Sequence, residues 1–374
     1  MWSTMDALRL RKIDVDLIAT NENGLHRLRE VPFGRFERER GHRIRYFPAE
    51  GNRYTTSWPM ARWLFQHVAD YDLVHVHGMF RFAPVVAAHA AMMRGVPYVL
   101  TLHNTLGRWG LQNRARVMKR LSIGLVEGRM LSRAHKVHLC SSEELRDVQH
   151  IWRHPFKFTV FPLGLNFPAQ QVHSELPPPA RVSCLAGRRT VLFMSRIHEI
   201  KGLDKLIAAF AQVLPAHPDC QLVIAGSGEP QLVDSLTAQA RELGIARNTH
   251  WMGFVQGEEK QALLETASLF VLPSHSENFG YAAIEAILAR LPVIVSQNVP
   301  AGRFAVDTGA GAIFDGTIAD LAAKLHSMLS LSEDDRRRIG ARAESSVRSG
   351  MSLDAFGRSL ESLYHEALQV PLTT

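Results

Sequence analysis

The sequence predicts an α/β protein made of two parallel-sheet halves, and three observations carry that reading. Short apolar runs alternate with amphipathic stretches along the whole chain, the pattern of strand and crossover helix that yields a parallel sheet. A proline-rich stretch, PAQQVHSELPPPARVSCLAGRR at 168–189, interrupts the alternation near the middle, and three consecutive prolines join neither a helix nor a central strand. The chain has 374 residues, 46% hydrophobic and 21% charged, enough for two domains that each bury a core.

The elements follow in order. The first half, 1–167, holds apolar runs that read as strands near IDVDLIAT (13–20), HRIRYF (42–47), DLVHVH (72–77), PYVLTL (97–102) and KVHLCS (136–141), with helices between them. Residues 168–189 form the linker. The second half, 190–352, repeats the alternation with TVLFM, CQLVIAG, THWMGF, SLFVLPS, LPVIVS and GAIFD as strands. The tail, 353–374, is helical, with Phe356, Leu360, Leu363, Tyr364 and Ala367 on one face.

Composition narrows the function classes. No run of eighteen apolar residues occurs and no apolar signal-peptide core opens the chain, which points to the cytoplasm. Cys140, Cys184 and Cys220 have neither metal-ligand spacing nor an even count for disulfides, so they read as small apolar residues in a reducing compartment. The net charge is +7, and arginines crowd FGRFERERGHRIR (33–45) and GRWGLQNRARVMKRL (107–121). The second segment mixes Trp109, Leu111, Val117, Met118 and Leu121 with Arg108, Arg114, Arg116, Lys119 and Arg120. Such a stretch suits an anionic membrane surface, and it equally suits a surface helix with an ordinary buried stripe. Nucleic acid is not expected as a partner, because no nucleic-acid-binding motif accompanies the charge.

The candidate site lies in the second half. SHSENFGYAAIEAILARLPVIVS (274–296) sets Glu277 in a loop before a helix and Glu285 eight positions on, two turns into it. Between them Asn278, Phe279 and Gly280 bring backbone N–H groups to the positive end of the helix. A phosphate flanked by hydroxyls fits this arrangement, as in a nucleotide-sugar. Taken singly, each glutamate has an ordinary explanation in the helix dipole or a solvated face. SRIHEIKG (195–202) shifts the balance: it follows the run TVLFM and precedes the amphipathic LDKLIAAFAQVL. Arg196 and Lys201 therefore sit in a strand-to-helix loop at a strand's carboxyl end, where open α/β sheets bind ligands and two cations can meet a diphosphate.

With these residues in place, the chain resembles the retaining glycosyltransferases of GT-B fold, family four, a group that includes bacterial polysaccharide and lipid-linked sugar transferases. The resemblance rests on SRIHEIKG, IAGSGE (224–229), WMGFV (251–255), SENFGYAAIEA (276–286) and LPVIVS (291–296), in the family's order. The first half adds DLVHVHG (72–78), GVPYVLTLHNTLGRWGL (95–111) and PLGLNF (162–167). It implies two Rossmann-like domains facing a cleft, with the last helix crossing back to the first domain. It also implies a nucleoside diphosphate-sugar donor, a glycan or lipid-linked glycan acceptor, and no cofactor or metal. By the same resemblance Arg196 and Lys201 stabilise the departing diphosphate, Glu285 binds the ribose, and Glu277 the donor sugar. The amides of Asn278, Phe279 and Gly280 bind phosphate; Gly253, Phe254 and Val255 edge the base; Gly226 joins the donor-binding set; His103 stands in the cleft near the transferred sugar. His75 and His77 share a strand face, but no third metal ligand accompanies them. A nucleotide-sugar epimerase of the same fold and an inactive binding or scaffold copy remain as alternatives.

Two departures from the family stand out. Arg290 occupies a position where the family usually has Gly. Only MWSTMDALRLRK precedes IDVDLIAT, and it looks like the end of the family's first helix. The family's first strand and Gly-rich loop would come before it, so the expectation is a natural protein longer than this chain.

Overall fold

A computed structural model describes all residues except 24–25, 29–30, 51–53, 107–120, 153, 167–178, 186, 278, 308 and 370–374. The basic segment at 107–121 thus lies almost wholly outside the described residues, as do Asn278 and most of the stretch read as linker. The chain forms two compact units, Met1–Asn166 with Met351–Thr374, and Phe167–Gly350.

The strands in chain order are β1 (Asp16–Thr20), β2 (Glu22–Asn23), β3 (His26–Arg27), β4 (Phe36–Glu39), β5 (His42–Phe47), β6 (Val74–His77), β7 (Tyr98–Thr101), β8 (Lys136–Leu139) and β9 (Phe158–Val160). They continue as β10 (Arg189–Met194), β11 (Cys220–Ala225), β12 (Thr249–Gly253), β13 (Leu269–Leu272), β14 (Val293–Ser296) and β15 (Gly311–Phe314).

In the second unit six parallel strands run β12-β11-β10-β13-β14-β15. Every residue of β11, β13 and β14 is buried, which is what a parallel sheet covered on both faces requires of its strands. The helix Leu203–Val213 covers one face with Leu203, Leu206, Ile207, Phe210 and Val213, spaced three and four apart. The proline-rich stretch does not run to 189 as a linker. Ala180–Ser183 is a one-turn helix that buries Val182, and β10 has already begun at Arg189.

The first unit departs from a single parallel sheet. β6-β7-β8-β9 are parallel, whereas β1-β5-β4 form a separate sheet in which β4 is antiparallel to β5. The arginine-rich FGRFERERGHRIR, of which only HRIR was expected as strand, is this β4–β5 hairpin. Its turn residues Arg40 and Gly41 both have positive φ, 50° and 81°, as a two-residue hairpin turn matched to strand twist demands. Side chains link the edges β1 and β6: Tyr71, before β6, donates to Asp16 at the start of β1, and Arg81, after β6, pairs with Glu22, after β1. The carboxyl ends of both sheets therefore lie on the same side of this unit.

The helix Leu353–Gln369 buries Phe356, Leu360, Leu363 and Ala367, and it packs against Ala7 and Leu8 of the helix Trp2–Leu10. A hydrogen-bond chain ties it to the sheet. His138 Nε2 meets the Phe161 carbonyl at 2.9 Å, so that nitrogen carries the proton and Nδ1 accepts from Thr101 Oγ1 at 2.9 Å. Thr101 Oγ1 then accepts from His75 Nε2 at 2.7 Å, and His75 Nδ1 accepts from the Tyr364 hydroxyl at 2.6 Å. Both imidazoles are neutral in this arrangement and every polar atom in the chain has a partner.

Candidate functional site

The strand order of the second unit reverses at β10: β11 and β12 lie on one side, β13 to β15 on the other. Open α/β sheets bind ligands in the crevice outside the carboxyl ends of the strands at such a reversal. The loop after β10, 195–202, and the loop after β13, 273–280, both leave the sheet there, and they carry the predicted cations and Glu277.

The two loops are locked together by backbone contacts. The His275 N–H donates to the Ile200 carbonyl at 2.8 Å. Gly202 has φ 63°, and a Cβ there would stand 2.4 Å from the Pro273 carbonyl oxygen. Only glycine fits both the left-handed backbone and the close approach. Gly202→Ala is expected to destabilise the protein by more than about 2 kcal/mol. Gly244→Ala, with φ 74° and open space around it, is expected to cost only about 1 kcal/mol. Urea unfolding of the two variants checks this; equal losses would remove the role of the Pro273 contact.

That lock brings Lys201 and Glu277 together. Glu277 Oε1 accepts from Lys201 Nζ at 2.5 Å and from Ser274 Oγ at 2.9 Å. Ser274 is fully buried, and its carbonyl accepts from Ser296 Oγ, at the end of β14, at 2.5 Å. The carboxylate is thereby fixed to the sheet, while the lysine, 9% exposed, keeps further N–H donors beyond the one used. Arg196 is exposed and has no ion-pair partner among the described residues.

The helix Tyr281–Leu288 starts at Gly280, φ 92°, where a Cβ would meet Val299 Cγ1 at 2.4 Å. The N–H groups of Ala283 and Ile284 donate to the Gly280 carbonyl, those of Tyr281 and Ala282 have no carbonyl partner within the helix, and its dipole puts positive charge at this end. Glu285 is the fifth residue of this helix, one turn in rather than two, because the loop runs on to Gly280. It pairs with Lys260 Nζ at 2.7 Å, and both side chains are about a third exposed. Phe279 is buried against Tyr281 and Phe304, and its carbonyl accepts from Ala301, so its side chain anchors the loop.

Gly226 N–H donates to the Gly253 carbonyl at 2.7 Å, and a Cβ at Gly226 would collide with the Ser195 carbonyl. Gly226 therefore joins the loops after β10, β11 and β12, and its N–H is already engaged rather than offered to a ligand. Beyond it Phe254 is 67% exposed at the end of β12, while Val255 is buried.

His103 belongs to the other unit. It follows β7 with φ 52°, a left-handed backbone unusual for a non-glycine residue, and its Nε2 lies 2.9 Å from His77 Nδ1. Burial pushes its pKa down to about 4, so the ring is neutral. His75 and His77 are also held well below the usual imidazole range, first by burial and then by neighbouring imidazoles. Glu144 accepts from the backbone N–H groups of Cys140 and Asn104 and so pins the loops after β7 and β8. Burial raises its pKa to about 6 against the pull of those two hydrogen bonds. Among the described residues no group of three or more His, Cys, Asp or Glu could hold a metal ion, and no helix is long and apolar enough to cross a membrane.

Sequence reasoning missed Ser274, Lys260 and Glu144. Ser274 was legible as the residue three before Glu277. Glu144 was legible as the last residue of the capping-box pattern Ser141-x-x-Glu144, whose Ser141 Oγ accepts from the Glu144 N–H, whereas Lys260 had no local signal. Arg290, where a glycine was expected, does take a glycine-like φ of 62°, and its guanidinium pairs with Glu344 at 2.7 Å. Burial pushes the Glu344 carboxyl up, but hydrogen bonds from Arg290 and Arg348 outweigh it and hold the pKa below the usual range.

Two family matches cover most of the chain: residues 1–164 match a glycosyl transferase 4-like domain, and residues 184–346 match glycosyl transferases group 1. A glycogen synthase of Mycobacterium tuberculosis (strain CDC 1551 / Oshkosh) is 28% identical over 273 residues, 72% of this chain and 63% of that protein's length. The match thus spans under two thirds of that relative. A GDP-mannose:cellobiosyl-diphosphopolyprenol alpha-mannosyltransferase of Xanthomonas oryzae pv. oryzae (strain PXO99A) is 27% identical over 350 residues, 93% of this chain and 88% of that protein. Among solved structures, the sucrose-phosphate synthase of Thermosynechococcus elongatus superposes with a TM-score of 0.71 at 20% identity, covering 96% of this chain and 90% of that one.

Proposed function

Because the chain belongs to the group 1 glycosyl transferases, of GT-B fold, we propose that it moves a sugar from a nucleoside diphosphate-sugar to a hydroxyl of a glycan or lipid-linked glycan, with retention of configuration. One observation carries the reading. At the strand-order reversal of the second unit, a lysine and a sheet-anchored carboxylate are bonded across two loops, beside an exposed arginine and a helix start.

Arg196 and Lys201 meet the diphosphate, whose charge grows as the glycosidic bond breaks, and the amides of the 278–280 loop bind its phosphate. Glu285 takes the ribose hydroxyls and Glu277 the donor sugar; the 253–255 segment edges the base. The C1–O bond to the diphosphate breaks while the acceptor oxygen bonds to C1 on the same face, and the acceptor proton passes to the leaving phosphate oxygen. No side chain is required as general base, and the two cations serve in place of a metal. His103 stands near the transferred sugar as a neutral hydrogen-bonding group. The Xanthomonas relative's name, with a diphosphopolyprenol-linked disaccharide as acceptor, supports a lipid-linked glycan as the acceptor class. A peripheral position at the inner face of the plasma membrane would accord with that acceptor.

Calorimetry separates the two carboxylates. Glu285→Ala is expected to weaken binding of the bare nucleoside diphosphate, which contains the ribose, whereas Glu277→Gln weakens the sugar-bearing donor and leaves the diphosphate nearly unaffected. Equal effects on the bare diphosphate would overturn the assignment. Incubation with labelled UDP-, GDP- and ADP-sugars tests the activity itself: transfer or hydrolysis supports it, while a changed sugar with no transfer points to an epimerase.

A further inference from the structure

The first unit holds a cavity of about 410 Å³ at the carboxyl end of β5, within the usual range for small-molecule sites. Two elements build it through their own periodicities. Arg45 and Phe47 lie two apart on β5 and so share a face; Arg62, Trp63 and Gln66 follow one another at one-, three- and four-residue steps on the helix Trp58–His67. Phe33 closes the side next to β4.

The lining is aromatic and cationic at once. The Arg45 guanidinium sits 5.2 Å from the Trp63 ring, 5.5 Å from Phe47 and 5.6 Å from Phe36. Cation–π packing accounts for its position. It does not account for Arg45 Nε, which is buried without a hydrogen-bond acceptor and leaves the guanidinium incompletely satisfied. Arg62 is exposed, and among the described residues neither arginine pairs with a carboxylate. Two uncompensated guanidinium groups beside aromatic faces match a ring with apolar C–H faces and an anionic substituent, since guanidinium binds carboxylate and phosphate with paired N–H donors.

We propose that this cavity is a subsite for a pyranose bearing a phosphate or carboxylate, and that it receives the charged part of the acceptor. Calling the ligand an acceptor rests on the glycosyl-transfer reading; the binding itself does not. The carboxyl ends of β5 and of β6, where His77 and His103 meet, lie on the same side of this unit, so one extended acceptor could reach both.

NMR titration of the full chain with glucose 1-phosphate, glucuronic acid, methyl glucoside and inorganic phosphate tests the proposal. At least one anionic sugar is expected to bind about tenfold or more tightly than methyl glucoside. Arg62→Ala, at an exposed position, should remove most of that preference and leave methyl glucoside unchanged; Arg45→Lys, which keeps the charge but loses the paired donors, should reduce it. Which of glucose 1-phosphate and glucuronic acid binds better identifies the anion. Equal binding of neutral and anionic sugars, or a preference that survives Arg62→Ala, would overturn the proposal. Inorganic phosphate binding as tightly as both anionic sugars would leave no sugar subsite and overturn it as well. UDP-, GDP- and ADP-sugar thermal shifts on the same samples report the donor site, so a failed donor reading is distinguishable from a failed acceptor subsite.

Discussion

Arg196→Ala is expected to lower turnover by about 10²- to 10³-fold, the loss typical of one preorganised electrostatic contact to a developing charge. Donor affinity should fall much less, because on the proposed reading Lys201 and the start of the helix Tyr281–Leu288 continue to meet the diphosphate charge. The exposed position of Arg196 makes the variant a clean one: no buried partner is left behind. Lys201→Ala is less clean, since it leaves the Glu277 carboxylate, held by Ser274, without its cation. Removing one partner of such a poorly exposed pair costs stability as well as chemistry. Steady-state kinetics with the donor that gives the largest thermal shift decides the matter. Near-normal turnover of Arg196→Ala, with circular dichroism unchanged, would take this cation out of the mechanism.

Acidification from pH 6.5 to 5 should destabilise the first unit steeply. His138 and His103 have pKa values lowered to about 4, and His75 and His77 lie well below 6.5, in each case first because burial disfavours the charged ring. Below pH 6.5 the unfolded chain therefore binds protons that the folded chain refuses, and stability falls with pH by about 1.4 kcal/mol per pH unit for each such ring. Glu144 acts in the opposite sense. Its folded pKa is raised to about 6, so its contribution is fully present below the unfolded carboxyl pKa and is lost as pH rises through 6. Four rings against one carboxyl leave a net loss of stability between pH 6.5 and pH 5. Five of the six tryptophans precede residue 167, so their fluorescence in urea titrations reports this unit. Curves that superpose at pH 6.5 and 5 would mean that the imidazoles reach water.

The hydrogen-bond chain from Tyr364 to Phe161 gives that acid sensitivity a location. Protonating His75 or His138 would set two donors against each other at Thr101 or Tyr364, releasing the contact between the C-terminal helix and the sheet. Tyr364→Phe leaves His75 Nδ1 without its donor and should lower stability near neutral pH as well.

The strands of the second unit were readable one by one as short apolar runs, the inner β11, β13 and β14 because every residue is buried and the edge strands β12 and β15 in spite of their partly exposed residues. The tail helix was readable too: Phe356, Leu360, Leu363 and Ala367 repeat at helical spacing, and all four are buried. Periodicity reports which face of an element leaves water, and that is a local property. It does not report what the face meets. The order β12-β11-β10-β13-β14-β15, which puts the loops of Arg196 and Glu277 side by side, arises only when the sheet assembles. The same holds for Lys201 and Glu277, 76 residues apart, and for Lys260 beside Glu285. In the first half, an arginine-rich segment became a hairpin because Arg40 and Gly41 accept left-handed backbone together, a choice that strand pairing on both sides enforces. The alternating histidines of β6 announced a shared face, but what that face meets was decided in the fold: His75 bonds Tyr364 of the last helix, 289 residues on, and His77 bonds His103 after β7.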